Sequence, residues 1–256
     1  MSKIAIAAAL AGSLLAGSAS AAENAKPTVV LVHGAFADAS SWSGVTKILL
    51  KDGYHVVAVA NPLRGVKSDA DYVADIVKSI ETPVVLVGHS YGGSVISAAA
   101  NGQKSVKALV YVAAFAPEAG ESAADLSGKF PGGTLASALA KPVPLPGGGS
   151  DLYIEQKAFH KQFAHDVPAN EAAIMAATQR PIAEAALGEK SPEPAWKKIP
   201  SWFVYGDGDK NIPAAAQKFM AERAKSKDTV VIKGASHVVM TSHPEPVAKL
   251  IEEAAK

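Results

Sequence analysis

The chain has 256 residues, of which 48% are hydrophobic, and it contains no cysteine. This is enough apolar sequence for one large globular domain, and the absence of thiols excludes disulfides, thiolate metal sites and a cysteine nucleophile. Lys and Arg number 25 against 24 Asp and Glu, so the formal net charge of +1 gives no long-range attraction for nucleic acid or an anionic membrane. We therefore expect a small-molecule partner and no nucleic acid.

The first 21 residues are predicted to be a signal peptide. Lys3 provides a positive start, residues 4–16 are apolar, and the small residues of SASAAENA follow. The apolar stretch is shorter than the roughly 20 residues that a membrane span requires, so we expect cleavage after Ala21 rather than a stable membrane anchor. A mature domain of residues 22–256, exported to a bacterial periplasm or secreted, follows from this interpretation.

Runs of β-branched residues alternate with helical patterns over the rest of the chain. This alternation predicts an α/β fold with a mainly parallel sheet, and the strands lack polar alternation, which indicates that helices cover both faces. The predicted strands are 27–34, 54–60, 83–90, 106–115, 200–206 and 228–234, and the predicted helices are 42–51, 71–80, 92–101, 213–224 and 247–254.

The alternation stops after Pro117. Residues 131–150 are rich in proline and glycine and are predicted to be a turn-rich connection, whereas residues 151–187 are predicted to be helical. We expect residues 117–196 to form an insertion that covers one edge of the sheet.

The segment GHSYG, residues 88–92, places Ser90 between a predicted strand and a predicted helix. In this context G-x-S-x-G forms a nucleophile elbow, a sharp turn that raises the serine above the sheet. The glycines are required because the strained turn brings its flanking residues against neighbouring backbone. Ser90 is therefore the predicted nucleophile.

A serine nucleophile requires a base and a group that orients the base. His237 follows a predicted strand and is the expected base, whereas His243 stands beside a proline at a helix start, where a capping or surface role is expected. Of the two acids after the preceding strand, Asp209 has the longer reach and is the expected orienting carboxylate, with Asp207 as a turn residue.

The same run, D-x-D-x-N from Asp207, resembles the start of a calcium loop. It has Ile212 where that loop needs glycine and Lys218 where it needs a carboxylate, so we predict no metal site. The predicted chemistry requires no cofactor.

Gly34 ends the first strand and lets the backbone turn close to the serine. The backbone N–H groups of Ala35 and Tyr91 are the expected oxyanion donors. His33 and His89 flank these motifs and are interpreted as structural histidines.

Pocket residues are less clearly marked by the sequence. The cap residues Gln179 and Arg180 either face a substrate or lie at an interrupted helix end with the arginine in solvent. Phe36, Phe115 and Met240 adjoin the motifs and are expected to line the pocket, whereas the aromatic residues of the insertion, Phe159, Phe163 and Trp196, are expected to pack between helices and sheet.

From about residue 27 onward the chain resembles a known family. The resemblance is carried by four segments: VLVHGA, LVGHSYGG, AAFAP and KGASHVVM. The chain resembles the α/β-hydrolases and, within them, the small esterases and hydroxynitrile lyases grouped with plant methylesterases. The resemblance implies the same catalytic and oxyanion residues and a mostly helical cap. The lyase branch usually has threonine and lysine where this chain has Gly34 and Val238, which makes cyanohydrin cleavage doubtful.

We therefore expect a serine hydrolase that cleaves small, mainly apolar carboxylic esters through an acyl-enzyme. Lactone or amide hydrolysis, perhydrolysis and hydroxynitrile lyase chemistry are alternatives on the same residues. A slow-turnover ligand-binding protein of hydrolase type is the alternative outside catalysis. The sequence predicts neither the natural substrate nor the oligomeric state.

Overall fold

The structure, a computed structural model, describes residues 26–256. The predicted signal peptide, residues 1–21, lies outside the described residues. Among the helices of residues 26–256, none has the length and apolar character needed to cross a membrane.

A six-stranded sheet forms the centre of the molecule, as the alternating pattern predicts. Its strand order is β2-β1-β3-β4-β8-β9, and every neighbouring pair is parallel. In chain order the strands are β1 (Thr28–Val32), β2 (Val56–Val59), β3 (Val84–His89), β4 (Val106–Val112), β5 (Val143–Pro144), β6 (Ser150–Leu152), β7 (Ile182–Ala183), β8 (Ser201–Gly206) and β9 (Thr229–Ile232).

Helices follow the strands and cover both faces of the sheet. The central strands β1 and β3 are buried along their whole length, because β-branched side chains project to both faces and need apolar cover on each. Two helix pairs, α1 with α10 and α2 with α3, supply this cover. In chain order the helices are α1 (Ser43–Lys51), α2 (Val66–Lys78), α3 (Tyr91–Ala99), α4 (Ala123–Lys129), α5 (Gln156–Phe163), α6 (Ala169–Thr178), α7 (Glu184–Gly188), α8 (Ala214–Arg223), α9 (Val239–Ser242) and α10 (Pro244–Ala254).

The segment between β4 and β8, residues 117–196, is called the cap below. It contains α4 to α7, and it corrects one prediction: residues 131–150 are not only a connection, and residues 151–187 are not only helical. β5, β6 and β7 pair in a small antiparallel sheet. Strands of two or three residues are too short to show a period-two pattern, which is why the sequence did not reveal them.

The cap covers the edge of the sheet where the parallel strands end. It is hydrogen-bonded to the loops after β1, β8 and β9, through bonds from Phe36 N to the Arg180 carbonyl (2.9 Å), from Thr134 N to the Lys210 carbonyl (2.8 Å) and between His165 Nε2 and the Gly234 carbonyl (3.1 Å). In open parallel sheets this edge is where ligands bind. A ligand-binding site is therefore expected among these loops.

Candidate active site

Ser90 lies in a strained turn between β3 and α3. Its backbone has φ 54° and ψ −123°, a region that costs a side-chain-bearing residue of order 1–3 kcal/mol and that only surrounding contacts can impose. The neighbouring glycines make those contacts possible. A Cβ on Gly88 would lie 2.6 Å from the Gly92 carbonyl oxygen, and a Cβ on Gly34 would lie 2.6 Å from Ser90 Cβ.

His237 and Asp209 form a buried hydrogen-bonded pair. His237 Nδ1 donates to Asp209 Oδ2 at 2.7 Å, and both side chains are almost completely inaccessible to solvent. Because the shared proton is on Nδ1, the other ring nitrogen of the neutral imidazole, Nε2, is free to accept a proton. The pair therefore has the form that a general base and its orienting acid require.

The carboxylate of Asp209 is held in place by three further donors. Oδ1 accepts from the backbone N–H groups of Asn211 (2.7 Å) and Ile212 (3.0 Å), and Oδ2 also accepts from Gln217 Nε2 (3.0 Å). These donors compensate the burial of a negative charge and fix the direction in which the carboxylate faces His237.

The competing residues are placed elsewhere. Asp207 Oδ1 accepts the N–H of Gly234, so this aspartate holds the loop that carries His237 without contacting its ring. His243 directly precedes α10 and is partly exposed, with its Nδ1 3.6 Å from Asp166 Oδ2. Of the two histidines considered, only His237 bonds to Asp209.

The expected oxyanion donors, Ala35 and Tyr91, line the same cavity as Ser90 and His237. Tyr91 is the first residue of α3, so its N–H has no partner within the helix. Among the hydrogen bonds formed by residues 26–256, neither the Ala35 N–H nor the Tyr91 N–H donates to another protein group. Both donors are thus available to a ligand.

The two histidines beside these motifs are buried and internally bonded. His33 donates from Nδ1 to the Gly34 carbonyl (2.9 Å) and accepts the Asn61 N–H at Nε2 (3.1 Å), which agrees with a structural role. His89 Nε2 donates to the His237 carbonyl (3.1 Å). Burial lowers the pKa of His33 and lowers that of His89 strongly, so both stay neutral.

A cavity of about 350 Å³ opens above Ser90. Of residues 26–256, no Asp, Glu, Lys or Arg lines it, and its aromatic lining consists of Phe36, Tyr91, Phe115 and Phe163. Most of the remaining lining consists of small or aliphatic residues, among them Ala123, Ala124, Ser127, Gly128, Gly133, Leu135, Ala136, Leu139 and Leu187. An uncharged, mainly apolar ligand fits such a lining.

The predicted pocket residues differ in where they lie. Phe36 and Phe115 line the cavity, whereas Met240 is buried outside the lining. Phe163, for which packing was the favoured interpretation, lines the cavity and also contacts His237 edge-on at a ring distance of 5.0 Å. Gln179 is bonded to both backbone groups of Ile154 and does not reach the cavity.

The remaining cap residues follow their structural interpretations. Arg180 is exposed just beyond the end of α6. Phe159 is fully buried, and Trp196 packs in the interior and donates from Nε1 to the Pro117 carbonyl at 3.0 Å. Within residues 26–256, no group of three or more His, Cys, Asp or Glu side chains is placed to hold a metal ion.

Sequence reasoning missed several residues that hold the pair in place. Gln217 bonds to Asp209 from α8, and Gln162 and Asp166 reach the same loops from the cap. Asp166 and its partner Ser236 are 70 positions apart in the chain, so no local motif marks their contact.

Comparisons with known proteins agree with this geometry. Residues 29–250 match the model of the alpha/beta hydrolase family. An α-hydroxynitrile lyase from Arabidopsis thaliana is 24% identical over 237 residues, which cover 84% of this chain and 92% of the lyase. A putative chloroplastic methylesterase of the same plant is 24% identical over 247 residues, 89% of this chain and 63% of that protein.

A solved structure has the same fold. The crystal structure of polyneuridine aldehyde esterase superimposes with a TM-score of 0.79 at 20% sequence identity, covering 91% of this chain and all of that one. The expected fold and the expected resemblance to the methylesterase and hydroxynitrile lyase group are therefore confirmed.

Proposed function

The chain belongs to the α/β-hydrolase family, and we propose that it is a serine esterase for small, uncharged carboxylic esters. One observation carries the proposal: the buried His237–Asp209 pair and Ser90 meet at one apolar cavity. Relatives named as a methylesterase and an esterase support ester cleavage among the reactions available to this fold.

The proposed reaction assigns one task to each group. His237 Nε2 takes the hydroxyl proton of Ser90 as its oxygen attacks the ester carbonyl, while Asp209 stabilises the resulting imidazolium. The carbonyl oxygen becomes an oxyanion that accepts from the N–H groups of Ala35 and Tyr91. His237 then protonates the leaving alcohol, and an acyl group remains on Ser90 until water, deprotonated by the same histidine, releases the acid.

The cavity lining supports the substrate class. A charged acid or amine buried there would lose hydration without gaining a partner, because no Asp, Glu, Lys or Arg of the described part of the chain lines the cavity. An ester presents one carbonyl to the two free N–H donors and apolar groups to the phenylalanine, alanine and leucine walls.

Cyanohydrin cleavage is the reaction named for one relative, and two positions disfavour it here. Gly34 stands where the lyase branch usually has threonine, and a Cβ at that position would lie 2.6 Å from Ser90 Cβ. Val238 stands where the branch has lysine and is fully buried. The chain thus offers neither the hydroxyl nor the charge that those enzymes use.

Export of the enzyme is part of the proposal, on the grounds of the predicted signal peptide alone. It is tested by expressing the full chain in a bacterial host and determining the N-terminal residue of the periplasmic or secreted protein. A start at Ala22 is expected, and a full-length chain retained in the cytoplasm would contradict export.

The function is tested with p-nitrophenyl esters of increasing acyl length, assayed with the purified chain and with Ser90→Ala. Steady turnover of the short esters is expected, with a loss of about 10⁴-fold or more in the variant. Equal turnover in both proteins would contradict the role of Ser90. A single stoichiometric release without turnover would instead favour a slow-turnover ligand-binding protein.

A further inference from the structure

Gln162, near the end of α5, joins the cap to the loop that carries Asp209. Gln162 Nε2 donates to the Lys210 carbonyl (3.0 Å) and to Asn211 Oδ1 (2.9 Å), the two residues that follow Asp209. Its Oε1 accepts the Thr134 hydroxyl at 2.9 Å, which fixes the orientation of the amide. The residue is only 7% exposed, so these bonds replace water rather than compete with it.

Asp166, four residues further along the cap, contacts the loop that carries His237. Its Oδ2 accepts the N–H of Ser236 at 3.0 Å, directly before His237 in the chain. Burial alone would raise the pKa of Asp166, but hydrogen bonds from Ser236 and Ser242 outweigh it and lower the pKa. The carboxylate is therefore ionised at neutral pH, which strengthens the bond that it accepts.

The contacts of Gln162 and Asp166 hold the two loops that the hydrogen bond between Asp209 and His237 joins. Asp209 and His237 lie on separate loops, after β8 and β9, and the 2.7 Å bond between them depends on how these loops are spaced. Gln162 and Asp166, four positions apart on one cap segment, each hold one of the loops. A segment that binds both loops at points four residues apart sets their spacing.

We propose that Gln162 and Asp166 are positioning residues, which couple the seating of the cap to the alignment of His237 with Asp209. The proposal rests on the proposed esterase function, in which that alignment sets how well His237 takes the Ser90 proton. A misplacement of about 1 Å at a reacting group can cost on the order of 100-fold in rate.

A different contact between the cap and the core, an ion pair, provides the matched control. Asp151, in β6 of the cap, accepts from Arg64 of the core at 2.7 Å, and its side chain is 13% exposed. This ion pair fastens the cap without touching the loops of Asp209 or His237. Asp151→Ala therefore loosens the cap but leaves the proposed positioning contacts intact.

The kinetic test compares Asp166→Ala, Asp166→Asn and Asp151→Ala with p-nitrophenyl acetate. For Asp166→Ala we expect kcat to fall about 10-fold or more with KM within about twofold, because the chemistry and not the pocket is disturbed. Asp166→Asn retains an oxygen acceptor for the Ser236 N–H and is expected to recover most of kcat. Asp151→Ala is expected to keep kcat within about twofold.

If Asp151→Ala lowers kcat as much as Asp166→Ala does, or if Asp166→Ala leaves kcat unchanged, the contact serves only to attach the cap. Gln162→Met removes the acid-side contacts at similar volume and is expected to show the same fall in kcat as Asp166→Ala.

A spectroscopic measurement separates this proposal from the proposed function. The His237 Nδ1 proton, shared with Asp209, is expected to give a far-downfield proton resonance in Ser90→Ala, which does not turn over. Adding Asp166→Ala should broaden or remove this resonance, whereas adding Asp151→Ala should leave it in place. Absence of esterase activity would defeat the function alone, and an unchanged resonance with Asp166→Ala would defeat the positioning role alone.

Discussion

Ser90 and the His237–Asp209 pair, the proposed catalytic residues, are held in place by different means. Ser90 is fixed by backbone packed on backbone, since glycines at positions 34 and 88 allow approaches that any Cβ would block. The loops that carry Asp209 and His237 are held in addition by side chains from α8 and from the cap: Gln217 bonds to Asp209, and Asp166 bonds to the N–H of Ser236. The proposed nucleophile is thus built into the sheet, whereas the proposed acid and base also depend on side-chain contacts that one substitution can remove.

The largest expected effect separates the two aspartates after β8. In Asp209→Asn the charge is lost and the amide oxygen accepts from the N–H groups of Asn211 and Ile212, so the NH2 group faces His237 Nδ1 and cannot accept its proton. We expect kcat to fall about 10⁴-fold because the required tautomer is lost. Asp207→Asn keeps an oxygen for the Gly234 N–H and should cost less than about 10-fold. Kinetics with a p-nitrophenyl ester distinguishes them, and the reverse order of losses would contradict the assignment of the acid.

The second prediction tests the backbone packing that holds Ser90 in place. In Gly34→Ala the new methyl group would meet Ser90 Cβ at 2.6 Å and the His89 carbonyl oxygen at 2.7 Å, so the elbow or the oxyanion loop must shift. We expect a loss of about 10²-fold to 10³-fold in kcat/KM and of about 1–3 kcal/mol in the free energy of unfolding.

Gly188→Ala is the matched control for this change, since open space surrounds the position of its new Cβ. Activity and chemical denaturation should both stay near those of the unchanged chain. A Gly34→Ala protein with full activity would show that the elbow tolerates the approach, and the account of its backbone packing would be wrong.

The smallest effect is a pH dependence of stability from the histidines beside the elbow. The folded-state pKa values of His33 and His89 lie below the 6.5 of the free side chain, so just below pH 6.5 the unfolded chain binds more protons. Stability is therefore lost as pH falls from 6.5, by up to about 1.4 kcal/mol per pH unit for each histidine that stays neutral.

Urea unfolding between pH 6.5 and 5 measures this slope in the unchanged chain and in His89→Gln. The variant is expected to have a shallower slope whatever its absolute stability. An identical slope in both proteins would mean that His89 is protonated in the folded state, against the effect of its burial.

The strand, the helix and the glycines that surround Ser90 could be recognised from the sequence. The glycines of residues 88–92 stand beside Ser90 itself, and the order of strands and helices follows from hydrophobic runs that are long enough to show their period. The sheet and its helices accordingly agree with their predictions. The small cap sheet does not, because its strands have two or three residues each.

The side-chain contacts that hold the loops of Asp209 and His237 could not be predicted from local sequence patterns. Gln162 and Asn211 are 49 positions apart, and Asp166 and Ser236 are 70 apart, so their bonds exist only once the cap has folded onto the sheet. The choice of Asp209 over Asp207 depended on reach from the strand end. Met240 was expected in the pocket from its nearness to His237 in the chain, but its side chain is buried outside the lining.

The central claim, that Ser90 carries the acyl group during turnover, is tested most directly by intact-mass analysis. The purified chain is mixed with excess p-nitrophenyl acetate and quenched in acid within the first turnover, beside Ser90→Ala. The account predicts one added acetyl group, located on the peptide that contains Ser90, and none in the variant. Rapid release of p-nitrophenol with no covalent adduct, or an adduct that persists in Ser90→Ala, would contradict it.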